Sequence, residues 1–193
     1  SDYTNQGKTV IIDVSATWCG PCWSYHQSHT LADIYNAYGP NGSDEIMVFF
    51  VEGDGSTNTA DLNGTGNNTL GDWITGTPYP VIDDASIASS YQIGYFPTIY
   101  RICPNGLVYE EGQSTVNQLV SSISSNCSQS IQGASDHGKI YDTELALCTA
   151  NGTPEFSISN YGTNNITSAT VTLNENGTAI GTANFSGNIS QFS

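Results

Sequence analysis

Positive charge is almost absent from this chain. Among 193 residues only Lys8, Arg101 and Lys139 are cationic, against 18 Asp and Glu, for a formal net charge of −15. A surface of that sign repels phosphate backbones and anionic headgroups, which excludes nucleic acid and anionic lipid as partners. Long apolar runs are missing too. None approaches the ~18 residues that a spanning helix needs, so no membrane insertion is expected. The chain starts Ser1-Asp2-Tyr3 and shows neither the charged start nor the apolar core of a secretory leader. There is no second C-x-x-C, which disfavours a zinc ribbon. The acid excess is spread along the chain and reads as a solvated surface rather than a binding tail.

What is present begins with cysteine. Five cysteines are many for a cytosolic domain, and they favour an oxidising, extracytoplasmic setting. Long loops rich in Asn, Ser, Thr and Gly suit the same surface. Triplets such as Asn41-Gly42-Ser43 and Asn184-Phe185-Ser186 fit glycan acceptors, but this composition generates them without selection.

Two of the cysteines form Trp18-Cys19-Gly20-Pro21-Cys22, which follows the apolar run Val10-Ile11-Ile12-Asp13-Val14 and opens a segment with helical spacing. A thiolate at a helix start faces unpaired backbone N–H groups and the positive end of the dipole, which lowers its pKa and makes it nucleophilic. Pro21 suits a first helical turn because its missing N–H would be unpaired there anyway. Gly20 leaves the sulfur of Cys19 open to approach.

The run Asp13-Val14-Ser15-Ala16-Thr17-Trp18-Cys19-Gly20-Pro21-Cys22 resembles the active-site segment of the thioredoxin family almost position for position. The periodicity along the chain agrees. Lys8 to Ala16 reads as a buried strand, Cys22 to Tyr38 as one helix ended by Gly39-Pro40, and Ile46 to Val51 as a second buried strand. A long polar loop spans 53–68, and Thr69 to Ile74 suits one or two helical turns. Tyr79 to Ile82 is a short strand, and Asp84 caps a helix to Tyr91. Thr98 to Cys103 and Leu107 to Glu111 form a hairpin about Asn105-Gly106, and Val116 to Ser125 closes the unit as a helix.

This order is that of an α/β thioredoxin-like fold, a central mixed sheet flanked by helices. The strand and helix inserted before Phe96-Pro97 look like those of extracytoplasmic TlpA/ResA-like thioredoxins. The resemblance runs from about Lys8 to Cys127, with too little before Lys8 for the extra strand and helix of thioredoxin itself. Residues 1–128 are expected to form this domain. Residues 129–193 change character to short strands, Ile140 to Leu147, Phe156 to Ser159, Thr167 to Leu173 and Ala179 to Phe185, resembling the opening of an Ig-like β-sandwich of seven strands. This module is expected to be small and all-β, and incomplete.

The resemblance implies roles. Cys19 is the attacking thiolate and Cys22 the resolving thiol of a thiol–disulfide oxidoreductase acting on protein disulfides. Asp13 is the buried acid that shuttles the proton of Cys22. The lysine that accompanies this acid in the family is not matched, and Phe50 holds its place. Pro97 is the family's cis-proline, with the Phe96 backbone pairing an incoming peptide. Trp18, Gly20, Pro21, Tyr95 and Phe96 line the substrate groove, with Tyr79 either there or in the core. Cys103 and Cys127 end elements at the pole away from the dithiol, so a structural Cys103–Cys127 disulfide is expected, with Cys148 as the alternative partner of Cys127. No cofactor or metal is implied. The expected partners are proteins bearing disulfides or thiols and an unidentified redox donor or acceptor. The expected location is secreted or periplasmic, in a bacterium.

Three other readings compete. A non-enzymatic binding or adhesion protein would reuse the scaffold and work through its β module. A metal-binding chaperone would use Cys19, Cys22, His26 and His29, the last three sharing one helical face. Asp61, Asn63, Thr65, Gly66 and Asp72 faintly echo a calcium loop without its closing Glu. A peroxiredoxin is disfavoured because Thr17 lies only two residues before Cys19.

Overall fold

The computed structural model describes residues 2–142 and 156–193. The polypeptide forms two compact units, Ser1–Gln132 and Gly133–Ser193.

The first unit begins with a single helical turn, α1 (Asp2–Asn5), and then enters β1 (Thr9–Ser15). β1 pairs in parallel with β2 (Ile46–Glu52) and antiparallel with β4 (Thr98–Ile102). β2 pairs in parallel with β3 (Val81–Asp83), and β4 antiparallel with β5 (Val108–Glu110). The strand order is therefore β3-β2-β1-β4-β5, with β1 at the centre. A central strand covered on both faces is largely apolar, and Val10, Ile11 and Val14 are buried along it.

Five further helices lie between and after these strands among the described residues, and one expected helix is divided. α2 (Gly20–Gln27) and α3 (Thr30–Tyr38) replace the single helix read over Cys22 to Tyr38. The Ser28 hydroxyl donates to the Tyr25 carbonyl at 2.6 Å, and His29 is left-handed at φ 57°. A serine hydroxyl that takes up a backbone carbonyl competes with the helical ladder, and the chain restarts one residue later. α4 (Thr59–Leu62) is a short capped turn, α5 (Ala85–Ser90) is capped by Asp84, and α6 (Val116–Asn126) starts in a Thr115/Gln118 capping box. Leu119 and Ile123, four apart, form the buried stripe of α6.

The long loop after β2 is built rather than slack. The helical turns expected over Thr69 to Ile74 do not form; the turn forms earlier, at α4. Asn58 and Asp61 cap it reciprocally, and the Asp61 carboxylate also accepts the Asn68 N–H at 2.8 Å. Asn63 and Asp72 bridge, and the Trp73 N–H donates to the Leu62 carbonyl at 2.9 Å. Trp73 is fully buried and packs on Phe50, Trp23 and His26. The polar composition of 53–68 conceals an anchor that lies five residues beyond it.

In the second unit β6 (Gly138–Asp142) pairs antiparallel with β7 (Phe156–Asn160), and β8 (Ile166–Glu175) with β9 (Thr178–Ile189). Asn176 and Gly177 both take positive φ in the β8–β9 hairpin, as a two-residue turn requires. The four strands among the described residues form two separate two-stranded sheets. The rest of the strand read over Ile140 to Leu147 lies outside the described residues, as does Cys148.

Trp73→Ala should test the loop anchor. Emptying a fully buried aromatic site costs about 3–5 kcal/mol, read as a lower urea midpoint at unchanged m-value. A loss below about 1 kcal/mol would mean that the loop is held elsewhere.

Candidate active site

β1 delivers the chain to the site. After Ser15 comes Ala16-Thr17, and Cys19 is the N-cap of α2, with its sulfur accepting the Cys22 N–H at 3.3 Å. Pro21 lies in the first turn, as its missing N–H favours. Cys19 and Cys22 form a disulfide. Cys19 keeps 4% of its surface and Cys22 none, so the first sulfur is the more accessible. Trp18, Gly20 and Pro21 around them are exposed.

Asp13 is 1% exposed in the middle of β1, in register with Phe50 on one side and Ile99 on the other. Its carboxylate accepts the Ser15 hydroxyl at 2.6 Å. Burial raises its pKa from 3.8 to about 7, and the Ser15 bond offsets only part of that. Cys22 and Tyr25, three apart on α2, are both buried, so one face of this helix is turned to the protein interior. Burial and then the Asp13 charge push the Tyr25 and Tyr79 hydroxyls upward. Asp13 therefore lies within electrostatic reach of the turn that carries Cys22.

The Phe96–Pro97 peptide bond is cis, at the start of β4. Pro97 is buried and Phe96 half-buried, packing with Val14, Val51 and Ala88. The Phe96 ring meets Trp18 edge-on at 6.3 Å, which brings the proline loop beside the dithiol loop. Gly53 admits this approach: a Cβ there would sit 2.8 Å from both Phe96 and Val14. Tyr95 is exposed and donates its hydroxyl to Glu110. Tyr79 is 5% exposed and belongs to the core, not to the groove.

Two acidic residues that sequence reasoning missed hold the dithiol loop. Glu52, fully buried at the end of β2, accepts the Thr17 N–H at 2.7 Å and the Asp54 N–H at 2.9 Å. Burial raises its pKa, and those two amides counter the rise. Asp54 accepts the Trp18 indole N–H at 2.7 Å. The signal was a lone acid closing the apolar run Val48-Phe49-Phe50-Val51. Thr17 is further tied by its carbonyl to Leu70 N–H and by its hydroxyl to the Asn68 carbonyl.

A disulfide at a helix start, a buried acid six residues before it on the central strand, and a cis-proline opening the antiparallel neighbour decide the fold. The first unit has the thioredoxin-like fold. The chain is similar to the thiol-disulfide oxidoreductase ResA of Oceanobacillus iheyensis, 28% identical over 116 residues, or 59% of this chain and 55% of the relative. The chain thus spans about half the length of that relative. No family model matches it. Similar solved structures include StoA from Bacillus subtilis, 18% identical with TM-score 0.43, covering 58% of this chain and 80% of StoA. The thioredoxin domain of a thiol-disulfide oxidoreductase from Bacteroides vulgatus is 20% identical with TM-score 0.45, covering 64% and 81%.

The metal-binding face does not assemble in the thioredoxin-like unit. The break at Ser28 and His29 takes His29 off the helix that carries Cys22 and His26. His26 packs among Trp23, Trp73 and Phe50, where burial and the neighbouring His29 lower its pKa to about 4. The calcium-like loop uses its acids internally: Asp61 caps α4, and Asp72 accepts the Ile74 and Thr75 amides. Among the described residues no group of three His, Cys, Asp or Glu side chains is placed to hold a metal ion. Cys103 and Cys127 form the second disulfide, at the ends of β4 and α6.

Asp13→Asn should raise stability, because a carboxylate held in that site is destabilising once ionised. The displacement from 3.8 to about 7 corresponds to about 4 kcal/mol. The penalty is absent below pH 3.8, grows as pH rises and is complete above about 7. Urea unfolding at pH 8 should therefore favour the variant by up to that amount, and at pH 3.5 the two should coincide. Equal stability at pH 8 would show that the carboxylate is better compensated than its single Ser15 partner indicates.

Proposed function

We propose that the thioredoxin-like unit is a thiol–disulfide oxidoreductase acting on protein disulfides through Cys19 and Cys22. The observation that carries this reading is the N-cap position of Cys19. There its sulfur already accepts a backbone amide and faces the positive end of an eight-residue helix. Those interactions strengthen when the sulfur is a thiolate, so they lower its pKa and favour its attack on a substrate disulfide.

The reaction divides between the two sulfurs. The Cys19 thiolate attacks a substrate disulfide, forms a mixed disulfide and expels one substrate thiolate. Cys22 then attacks Cys19, closes the Cys19–Cys22 disulfide and releases the second substrate thiol. Cys22 is buried and must lose a proton first. Asp13, with a pKa of about 7, is half-ionised near neutrality and accepts that proton. The exposed Trp18 and Tyr95 and the half-buried Phe96 flank the approach and offer apolar contact to an extended peptide. Similarity to ResA and the Gly20-Pro21 pair support work as a reductant in an extracytoplasmic compartment. There an electron donor must return the pair to its thiol form. No helix among the described residues is long and apolar enough to cross a membrane.

Reduction of a protein disulfide, followed turbidimetrically with insulin and dithiothreitol, tests the assignment. Cys19→Ser should lose the rate enhancement. Cys22→Ser should accumulate a mixed disulfide with the substrate, visible on non-reducing gels. In Asp13→Asn the release step should slow by about 10²-fold, the scale of one positioned proton acceptor, and lose its dependence on a group near pH 7. Undiminished activity in Cys19→Ser would remove the reading.

A further inference from the structure

Arg101 is the one cation of the described residues that has no access to water: its side chain is 0% exposed. Its guanidinium is divided between two kinds of partner. Nε and Nη2 each lie 2.6 Å from Glu111 Oε1, and Nη2 also donates to the Ser122 hydroxyl at 3.1 Å. The Tyr109 ring lies 4.3 Å from Cζ. The hydrogen bonds of Nη1 go instead to sulfur, at 2.7 Å from Cys127 Sγ and 3.1 Å from Cys103 Sγ.

In the oxidised protein this is a poor match. A disulfide sulfur is neutral and a weak acceptor, while a guanidinium stays charged at any working pH. A buried charged donor facing a weak acceptor carries an uncompensated desolvation cost. A thiolate in the same place would be a charge-assisted partner. Glu111 balances the charge overall, but it does so from the Nε and Nη2 edge and leaves Nη1 to the sulfurs. Arg101 thus interacts more strongly with the reduced pair than with the disulfide. A group that stabilises the reduced form makes the disulfide easier to reduce.

We propose that Cys103–Cys127 is a second reducible couple, electrostatically poised by Arg101, rather than a permanent staple. Its reductant is a small thiol or dithiol of the glutathione class. A thiolate of the reductant attacks Cys127 Sγ, which belongs to the less covered residue. The Cys103–Cys127 bond breaks, and Cys103 leaves as a thiolate onto Nη1. A second reductant thiol then displaces Cys127 from the mixed disulfide. Two electrons pass, two reductant thiols become one disulfide, and the pair ends as one thiol and one Arg101-bound thiolate with release of one proton. Reduction would untie β4 from α6, at the end of β4 opposite the cis-proline.

The proposal does not rest on the activity assigned to Cys19 and Cys22, and one experiment reads the two pairs separately. The folded protein is equilibrated in glutathione buffers of graded thiol-to-disulfide ratio, acid-quenched and alkylated, and each cysteine is followed by peptide mass mapping. Cys103 and Cys127 should become alkylated together while the far-ultraviolet circular dichroism stays native. In Arg101→Met the midpoint ratio should shift at least tenfold toward stronger reduction, about 30 mV for a two-electron couple. Arg101→Lys, which keeps the charge without the fork, should fall between the two and covers the case in which the methionine variant fails to fold. The proposal is overturned if the native pair stays oxidised in folded protein under buffers that reduce Cys19–Cys22. It is equally overturned if neither Arg101 variant moves the midpoint.

Discussion

A single strand constrains everything else in the first unit. β1 is hydrogen-bonded on both edges and buried on both faces, so its position and register are fixed by two neighbours. The dithiol begins four residues past its end, and Asp13 sits inside it. The cis-proline opens β4, which is β1's antiparallel partner, and Glu52 ends β2, its parallel one. Every group of the candidate site is thereby referred to one rigid element. The candidate residues outside the strands lie in loops or in the first turn of α2, and these are tied to β1 or to its two hydrogen-bonded neighbours.

The acids of the chain divide into two populations that the composition does not separate. Much of the charge is solvated, as its even spread implies. Asp13, Glu52 and Asp61 are not: they are 1%, 0% and 2% exposed. Glu52 and Asp61 accept backbone amides and so convert burial into positioning, one for the dithiol loop and the other for α4. Asp13 has a single hydroxyl partner and keeps a high pKa. The difference lies in how many N–H groups the local backbone turns toward the carboxylate. A central strand spends its amides on its neighbours, whereas a strand end or a helix start has amides to spare.

This division also explains what was legible beforehand. Trp18 to Cys22, Asp13 and Pro97 were expected from short sequence spacing or from a residue type with few substitutes; the structure puts Asp13 inside β1, the Cys19–Cys22 disulfide at the start of α2 and Pro97 in a cis peptide bond opening β4. The apolar runs of β1 and β2 were equally plain, because a strand buried on both faces is largely apolar. The break between α2 and α3 was not, since Ser28 and His29 are tolerated in a helix and the left-handed backbone at His29 leaves no mark on the pattern of apolar residues. Nor was the anchoring of the loop after β2. One tryptophan, Trp73, holds a stretch whose composition is polar, and burial of one residue leaves no periodic trace. Tyr79 read equally well as groove or core because an aromatic residue carries no sign of which surface it meets.

Charge economy gives the second disulfide its interest. A chain with three cationic residues places one of them, Arg101, wholly out of water. Glu111 alone would not call for an arginine there, since an apolar pair of similar volume is often no less stable than a buried ion pair. What the guanidinium adds is reach in a second direction, from Glu111 and Ser122 on one edge to two sulfurs on the other. The two cysteine pairs then share one electrostatic principle by different means. Cys19 meets the positive end of α2, made of backbone amides that any sequence can supply. Cys103 and Cys127 lie where β4 and α6 end, and Cys127 caps the C-terminus of α6, where the dipole disfavours a thiolate. A side-chain cation is the available remedy at that end of the helix, and Arg101 occupies that place.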